Sequence, residues 1–107
     1  MEAKFVQIDI REAKRMIDSD NVTIADIRAP EAFHESHIAR AVNVGQENIG
    51  QFIANANKDI PLICCCYHGM SSQNAAQYFS AQGFKTVYSI DGGFEAWRCE
   101  YPTTQGS

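Results

Sequence analysis

Residues 66–71 (Cys-Tyr-His-Gly-Met-Ser) are the stretch of this chain best suited to chemistry. The apolar run 60–65 comes before it and is typical of a buried strand in a parallel sheet, so Cys66 is predicted at the carboxyl end of that strand. A helix is predicted over residues 71–82, because serines suited to N-capping open it, apolar residues follow at helical spacing, and Gly83 ends it. The stretch is therefore predicted to be a tight loop between a strand and a helix.

A loop of this kind favours a negative charge at its centre. Its backbone N–H groups converge on one point, and that point lies at the positive end of the following helix. The charge available here is the thiolate of Cys66, and such surroundings favour the ionised, nucleophilic form of a cysteine. We therefore interpret Cys66 as an accessible nucleophile that needs no partner histidine. The loop alone leaves a second interpretation open, a buried and inert cysteine, because free Cys is among the most buried residue types.

Length and charge limit the classes of function. A chain of 107 residues suits one domain, predicted to span residues 1–107 with a loose carboxyl-terminal tail from about residue 103. The formal net charge of -4 argues against a nucleic-acid or membrane-surface partner, which would require a basic patch. No apolar run reaches the ~20 residues that cross a bilayer, and the start lacks a signal-peptide core, so we expect a cytoplasmic protein. Three of the four cysteines are adjacent, an arrangement unsuited to disulfides, so reduced thiols are predicted.

The remaining sequence alternates short strand and helix patterns. Strands are predicted at 5–8, 22–27, 38–44 (after a turn), 60–65 and 85–90, and helices at 10–19, from Pro30, 47–56, 71–82 and 94–99. This alternation predicts an α/β fold with a central parallel five-stranded sheet and helices on both faces. Ligands of such sheets bind beyond the carboxyl ends of the strands, which is where Cys66 is predicted to lie.

Two other pairs of polar residues have spacings that could matter. His34 and His37 could present two imidazoles to a metal, but no third ligand lies near them in the sequence, so no metal site is predicted. Asp26 and Arg28 lie at the end of the predicted strand 22–27, and we interpret them as a structural ion pair or loop brace, because a partly buried charge requires a partner. No cofactor is predicted from either pair.

Three segments of the chain resemble signatures of the rhodanese-homology family. The first comprises Asp26-Ile27-Arg28 with Phe33, His37-Ile38, Ala41 and Asn43, the second is the loop 66–71, and the third is Asp91-Gly92-Gly93-Phe94-Glu95-Ala96-Trp97. They occur in the family's order, and the resemblance covers nearly the whole chain. It implies a single rhodanese-like domain in which residues 66–71 form the catalytic loop.

The resemblance also implies a sulfur transfer in two half-reactions. Thiosulfate would donate its outer sulfur to Cys66 and release sulfite, and cyanide or a dithiol protein such as thioredoxin would then accept the sulfur from the Cys66 persulfide. Covalent storage of this kind predicts ping-pong kinetics without a cofactor. The persulfide is expected to be held by backbone N–H groups, and by the two serine hydroxyls, of the loop residues Tyr67, His68, Gly69, Met70, Ser71 and Ser72.

The chain departs from the family pattern at several positions. Many rhodanese loops carry an arginine where this chain has Tyr67, and an arginine, lysine or threonine where it has Ser71, so weak thiosulfate binding is predicted. Arg40 stands where the family commonly has glycine. Cys64 and Cys65 replace aliphatic residues and are interpreted as small core side chains. The alternative is that Cys65 serves as a resolving thiol for an oxidised Cys66, which strain between adjacent cysteines disfavours.

Two other classes of protein share a cysteine loop or a fold of this kind. A phosphatase or arsenate reductase would require an arginine six residues after the cysteine to clamp an oxyanion, and Ser72 occupies that position. A non-enzymatic binding module of rhodanese type would commonly have lost the cysteine. The presence of Cys66 therefore favours the enzyme over the binding module.

Overall fold

The computed structural model describes residues 4–106, in which strands and helices alternate along the chain. In order they are β1 (Val6–Ile8), α1 (Ile10–Ser19), β2 (Thr23–Asp26), α2 (Pro30–Glu35), β3 (Val42–Asn43), α3 (Ile49–Asn55), β4 (Leu62–Cys65), α4 (Ser71–Ala81), β5 (Val87–Ile90) and α5 (Gly93–Glu100). Within the described residues, no helix has the length and apolar character needed to cross a membrane.

The five strands form one parallel sheet in the order β1-β5-β4-β2-β3. The predicted parallel five-stranded sheet is thus confirmed. β4 lies in the centre, with Cys64 opposite Ala25 of β2 and Ser89 of β5, and Cys65 opposite Asp26. Because parallel strands end at the same edge, the residues that follow β4, β2 and β5 come together there.

Helices cover both faces of the sheet, as predicted. Residues of α1 and α5, among them Met16 and Trp97, pack in one core cluster, while Phe79 of α4 packs in the other. Successive side chains of β4 point to opposite faces, so Cys65 belongs to the first cluster and Cys64 to the second. Both faces of β4 are thus buried, which accounts for its continuous apolar sequence.

The carboxyl-terminal residues 103–106 are not loose, and the prediction of a loose tail was wrong for them. Thr104 pairs with His37 in an antiparallel bridge whose two N–H···O distances are both 2.8 Å. The Gly106 N–H donates to the His34 carbonyl at 2.9 Å. Backbone groups in the last turn of α2 and just after the helix therefore find their partners in the tail, a pairing between distant parts of the chain that no local pattern shows. Ser107 lies outside the described residues.

Candidate active site

The Cys66 thiol lies directly after β4, inside the loop that leads to α4. The N–H groups of Gly69 and Ser72 both donate to the Cys66 sulfur, each at 3.1 Å. The hydroxyl oxygen of Ser72 lies 3.3 Å from the same sulfur. Three polar groups thus converge on one sulfur atom, an arrangement that stabilises negative charge there.

Helix α4 begins immediately after the loop but is not capped as the sequence predicts. Its N-cap residue is Met70, whose side chain makes no capping hydrogen bond. The predicted capping role of Ser71 and Ser72 is therefore wrong, because the Ser72 hydroxyl is turned to the thiol and Ser71 is exposed. The eleven-residue helix keeps its first N–H groups directed at the loop, and its dipole adds to their attraction for an anion.

The turn between β5 and α5 fixes the backbone of the loop. The Phe94 N–H donates to the Cys66 carbonyl at 2.7 Å, and the Glu95 N–H donates to the Tyr67 carbonyl at 3.0 Å. Gly93, with φ of +60°, makes this approach possible, since a Cβ there would lie 2.5 Å from the Cys66 carbonyl oxygen. The turn before α5 thus also positions the thiol.

Cys66 is recessed beneath the loop, and in this respect the expectation of an accessible cysteine was wrong. Only 3% of the residue is exposed. The α5 turn covers its backbone, and the loop folds over its side chain. The residue is nonetheless unlike an inert core cysteine, because two N–H groups and a hydroxyl contact its sulfur and it belongs to neither core cluster.

Two side chains of the loop are prominent on the surface around this recess. Met70 is 76% exposed and Tyr67 is 42% exposed, and His68 is exposed between them. The Tyr67 hydroxyl accepts the N–H of Ala29 at 3.3 Å, which ties the loop to the segment before α2. A cavity of about 550 Å³ opens on the Tyr67 side, lined in part by Arg28, Phe94 and Arg98.

The ion pair of Asp26 and Arg28 is buried and structural, as predicted. Their side chains are joined at 2.8 Å, and Arg28 also donates to the Ser36 carbonyl at 2.7 Å. The Arg28 guanidinium lies 3.9 Å from the centre of the Phe94 ring. The pair therefore braces the segment after β2 against α5, and its cation is already engaged by a carboxylate.

Cys64 and Cys65 are fully buried in the two core clusters, in agreement with their interpretation as small core side chains. Burial raises the pKa of the Cys64 thiol far above its usual range. Burial, and secondarily the nearby Asp26 carboxylate, raises the pKa of Cys65 in the same direction. Both thiols are therefore neutral and unreactive at physiological pH.

His34 and His37 lie at the end of α2 and just after it. His37 is buried, stacks on Phe33 with ring centres 3.8 Å apart, and its Nδ1 lies 2.7 Å from the Phe33 carbonyl oxygen. Within residues 4–106, no group of three potential metal ligands comes together. His37 therefore serves the packing of α2.

Ser89 is a residue of the site that the sequence analysis did not single out. It lies on β5, and its hydroxyl oxygen is 2.7 Å from that of Ser72. A serine in a strand has no local signature. The available signal was that Ser89 is a polar residue among apolar ones in a predicted strand. That signal becomes informative only when the position of Ser72 beside β5 is known.

A strand-end cysteine, ringed by N–H groups at the start of a helix in a five-stranded parallel sheet, is the arrangement of a rhodanese-type domain. The family comparison agrees, since residues 9–100 match the rhodanese-like domain. The chain therefore belongs to the rhodanese-like domain family.

Individual relatives resemble the chain over nearly its whole length. The thiosulfate sulfurtransferase GlpE of Shewanella oneidensis is 46% identical over 89% of this chain and 94% of its own. The protein of the same name from Pseudomonas putida is 43% identical over 98% of this chain and 97% of its own.

Solved structures show the same fold. A rhodanese-like domain protein from Staphylococcus aureus has a TM-score of 0.82 and 26% identity, covering 96% of this chain and all of its own. A Rhodopseudomonas palustris protein of unknown function, described as a possible tyrosine phosphatase, has a TM-score of 0.80 and 26% identity. It covers 94% of this chain and 85% of its own. The fold therefore leaves the reaction open, and the residues of the loop have to decide it.

Proposed function

We propose that this protein is a thiosulfate sulfurtransferase that carries sulfane sulfur as a persulfide on Cys66. The observation that supports this most directly is the convergence of two N–H groups and one hydroxyl on the Cys66 sulfur. The relatives named thiosulfate sulfurtransferase, at 43–46% identity over nearly the full chain, support the choice of donor. We further infer that the protein acts in the cytoplasm.

The first half-reaction uses the Cys66 thiolate as nucleophile. Its sulfur attacks the outer sulfur of thiosulfate, the sulfur–sulfur bond of thiosulfate breaks, and sulfite leaves with the bonding electron pair. The product is a Cys66 persulfide anion, whose charge lies one atom further out in the loop than the thiolate's. The N–H groups of residues 67–72 and the positive end of α4 are suited to hold that charge.

The second half-reaction returns Cys66 to its thiolate form. Cyanide attacks the outer sulfur and leaves as thiocyanate, or a thiol of a dithiol protein such as thioredoxin attacks it and becomes a persulfide. In the latter case the partner's second thiol attacks the inner sulfur of the partner's persulfide. This closes a disulfide in the partner and releases the outer sulfur as hydrogen sulfide. Donor and acceptor react at Cys66 one after the other, and the donor product leaves before the acceptor reacts, so ping-pong kinetics are expected.

The recess around Cys66 determines which donors suit it. With 3% of the residue exposed, a donor has to reach the thiolate with a slender, projecting atom, which the terminal sulfur of thiosulfate provides. The loop supplies no arginine or lysine, and Arg28 is bound to Asp26. Attraction of the dianion thus rests mainly on backbone dipoles, and we expect a high KM for thiosulfate.

Phosphate-ester hydrolysis is the second candidate, favoured by the similarity to the possible tyrosine phosphatase from Rhodopseudomonas palustris. That chemistry requires a bidentate arginine over the oxyanion. Ser72 stands six residues after Cys66, where the arginine would be, and it is fully buried with its hydroxyl directed at the sulfur. The loop thus has no cationic clamp for a transferring phosphoryl group.

One pair of assays separates these functions. Sulfite release and thiocyanate formation are measured with thiosulfate and cyanide, beside hydrolysis of a chromogenic phosphate ester. The proposal predicts turnover in the first assay alone, abolished in Cys66→Ser and kept in Cys99→Ser, whose cysteine is exposed and far along the chain on α5. Turnover of the ester alone would replace the proposal with the phosphatase. Absence of turnover in both assays would favour a non-enzymatic binding module.

A further inference from the structure

Two serine hydroxyls form a buried pair beneath the Cys66 thiol. The oxygens of Ser72 and Ser89 are 2.7 Å apart, and neither residue has any exposed surface. Ser72 also touches the thiol, at 3.3 Å, whereas Ser89 contributes from β5 on the far side of Ser72. A sulfur atom and two hydroxyls thus form a chain of hydrogen bonds, and its two serine hydroxyls are shielded from solvent.

Each hydroxyl has a single proton to donate, so this chain can run in two directions. When Cys66 is a neutral thiol, its S–H donates to Ser72, which donates to Ser89. When Cys66 is an anion, its sulfur can only accept, so Ser72 donates to the sulfur and Ser89 donates to Ser72. The direction of the chain and the charge of Cys66 are therefore linked.

The surroundings of Ser89 favour the second direction. Within residues 4–106, the hydrogen-bond partner of the Ser89 side chain is the Ser72 hydroxyl. If Ser72 donated to Ser89, the buried Ser89 proton would be left without an acceptor, which is costly in the absence of water. If Ser89 donates to Ser72, every proton in the chain is used, provided that Cys66 is an anion.

We propose that Ser89 is a positioning residue that turns the Ser72 hydroxyl toward Cys66 and so stabilises its thiolate form. It acts through Ser72 and does not touch the reacting sulfur. The inference rests on the proposed sulfur transfer and deepens it, because the thiolate is the form of Cys66 that attacks the donor and the form that the second half-reaction restores. It applies to the free thiolate even if thiosulfate is not the donor.

Substituting Ser72 or Ser89 removes a hydroxyl group but leaves every charged or titratable residue near the site in place. Helix α4 carries no charged side chain. The titratable groups on the loop, β4, β2 with the segment after it, the turn after β5 and α5 are Tyr67, His68, Cys64, Cys65, Asp26, Arg28, Asp91, Glu95, Arg98, Cys99 and Glu100. A change in Cys66 ionisation on removing the Ser89 hydroxyl can therefore be assigned to the hydrogen-bond chain.

The test is the pH dependence of Cys66 alkylation by iodoacetamide, followed by mass spectrometry with fragmentation to separate it from the other cysteines. Ser72→Ala removes the direct donor and is expected to raise the midpoint by about one pH unit. Ser89→Ala is expected to raise it by about half a unit, roughly a threefold loss of thiolate below the midpoint. Ser80→Ala, which changes a serine at the far end of α4, is the matched control and should leave the profile unchanged.

The double variant Ser72→Ala/Ser89→Ala shows whether Ser89 acts through Ser72. The proposal predicts the midpoint of Ser72→Ala with no further rise, while independent effects would add. A Ser89→Ala profile that superimposes on that of the unmodified protein would overturn the proposal, as would additive shifts. Should Ser89→Ala fail to fold, Ser89→Cys, of similar size but a weak donor, takes its place with a shift in the same direction. Because alkylation requires no thiosulfate, failure of sulfur transfer leaves this test intact.

Discussion

Adding one methyl group at Gly93 should disturb the active-site loop, because Gly93 packs directly against the loop backbone. The Cβ of Gly93→Ala would lie 2.5 Å from the Cys66 carbonyl oxygen and 2.7 Å from both the Gly69 nitrogen and the Tyr67 carbonyl carbon. All three are backbone atoms, which cannot rotate away as a flexible side chain would. The loop therefore has to move, and the bond from the Phe94 N–H to the Cys66 carbonyl breaks or lengthens.

The cost can be estimated from two contributions. Gly93 has a φ of +60°, a left-handed conformation that costs an L-residue about 1–2 kcal/mol. Forcing a methyl group into a packed site costs about 1–3 kcal/mol more. We therefore expect Gly93→Ala to lose about 2–5 kcal/mol of unfolding free energy. A domain of this size typically has about 5–15 kcal/mol, so the variant should still fold.

Two other glycines provide matched controls. Gly50 lies in α3 with open space around its Cα, so Gly50→Ala should stabilise the protein by about 0.5–1 kcal/mol and leave activity unchanged. Gly92 has a φ of +80°, but its added Cβ would meet the Ala96 side chain and not the loop backbone. Gly92→Ala should therefore lower stability but lose less activity than Gly93→Ala. Urea unfolding gives the stabilities, and thiocyanate formation gives the activities. Stability and activity of Gly93→Ala equal to those of Gly50→Ala would refute the account of how the turn positions the loop.

Three further predictions concern the backbone and the cysteines. Arg40 has a φ of 73°, a conformation that glycine adopts without strain. Both Arg40→Gly and Arg40→Ala lose the side chain, so urea unfolding should show Arg40→Gly to be more stable by about 1 kcal/mol. Equal stabilities would contradict this. At neutral pH, mass spectrometry should find iodoacetamide on Cys66 and the exposed Cys99, and modification of Cys64 or Cys65 in the folded protein would contradict their burial. Burial raises the pKa of Cys64 and Cys65 in the folded protein above the ordinary thiol pKa of 9.0. Below pH 9.0 both thiols are neutral in the folded and the unfolded chain, whereas above it they ionise first in the unfolded chain. Unfolding free energy should then fall by about 1.4 kcal/mol per pH unit for each thiol, and a slope unchanged in Cys64→Ala/Cys65→Ala would exclude this origin.

The sequence predicts those features of the fold that depend on local pattern. Helix α1 has the predicted bounds because Asp9 accepts the Glu12 N–H and because the apolar positions repeat with helical spacing. The strand, loop and helix around Cys66 were predictable for the same reason. The five parallel strands also follow, since alternating short strands and helices pack well in few other ways.

Features that depend on distant partners could not be predicted in this way. The tail is held because Thr104 meets His37, which lies far away in the sequence. Ser89 joins the site only because β5 lies beside β4, and its serine has no pattern of its own. The recess of Cys66 likewise results from Gly93 meeting the loop, a contact between two signatures that are separate in the sequence.

The most direct test of the central claim is the mass of the protein after incubation with thiosulfate and removal of excess reagent. The account predicts a gain of one sulfur atom, located by fragmentation at Cys66, absent in Cys66→Ser and lost when cyanide is added. Sulfur found on Cys99, or sulfite released with no added sulfur on Cys66, would contradict it.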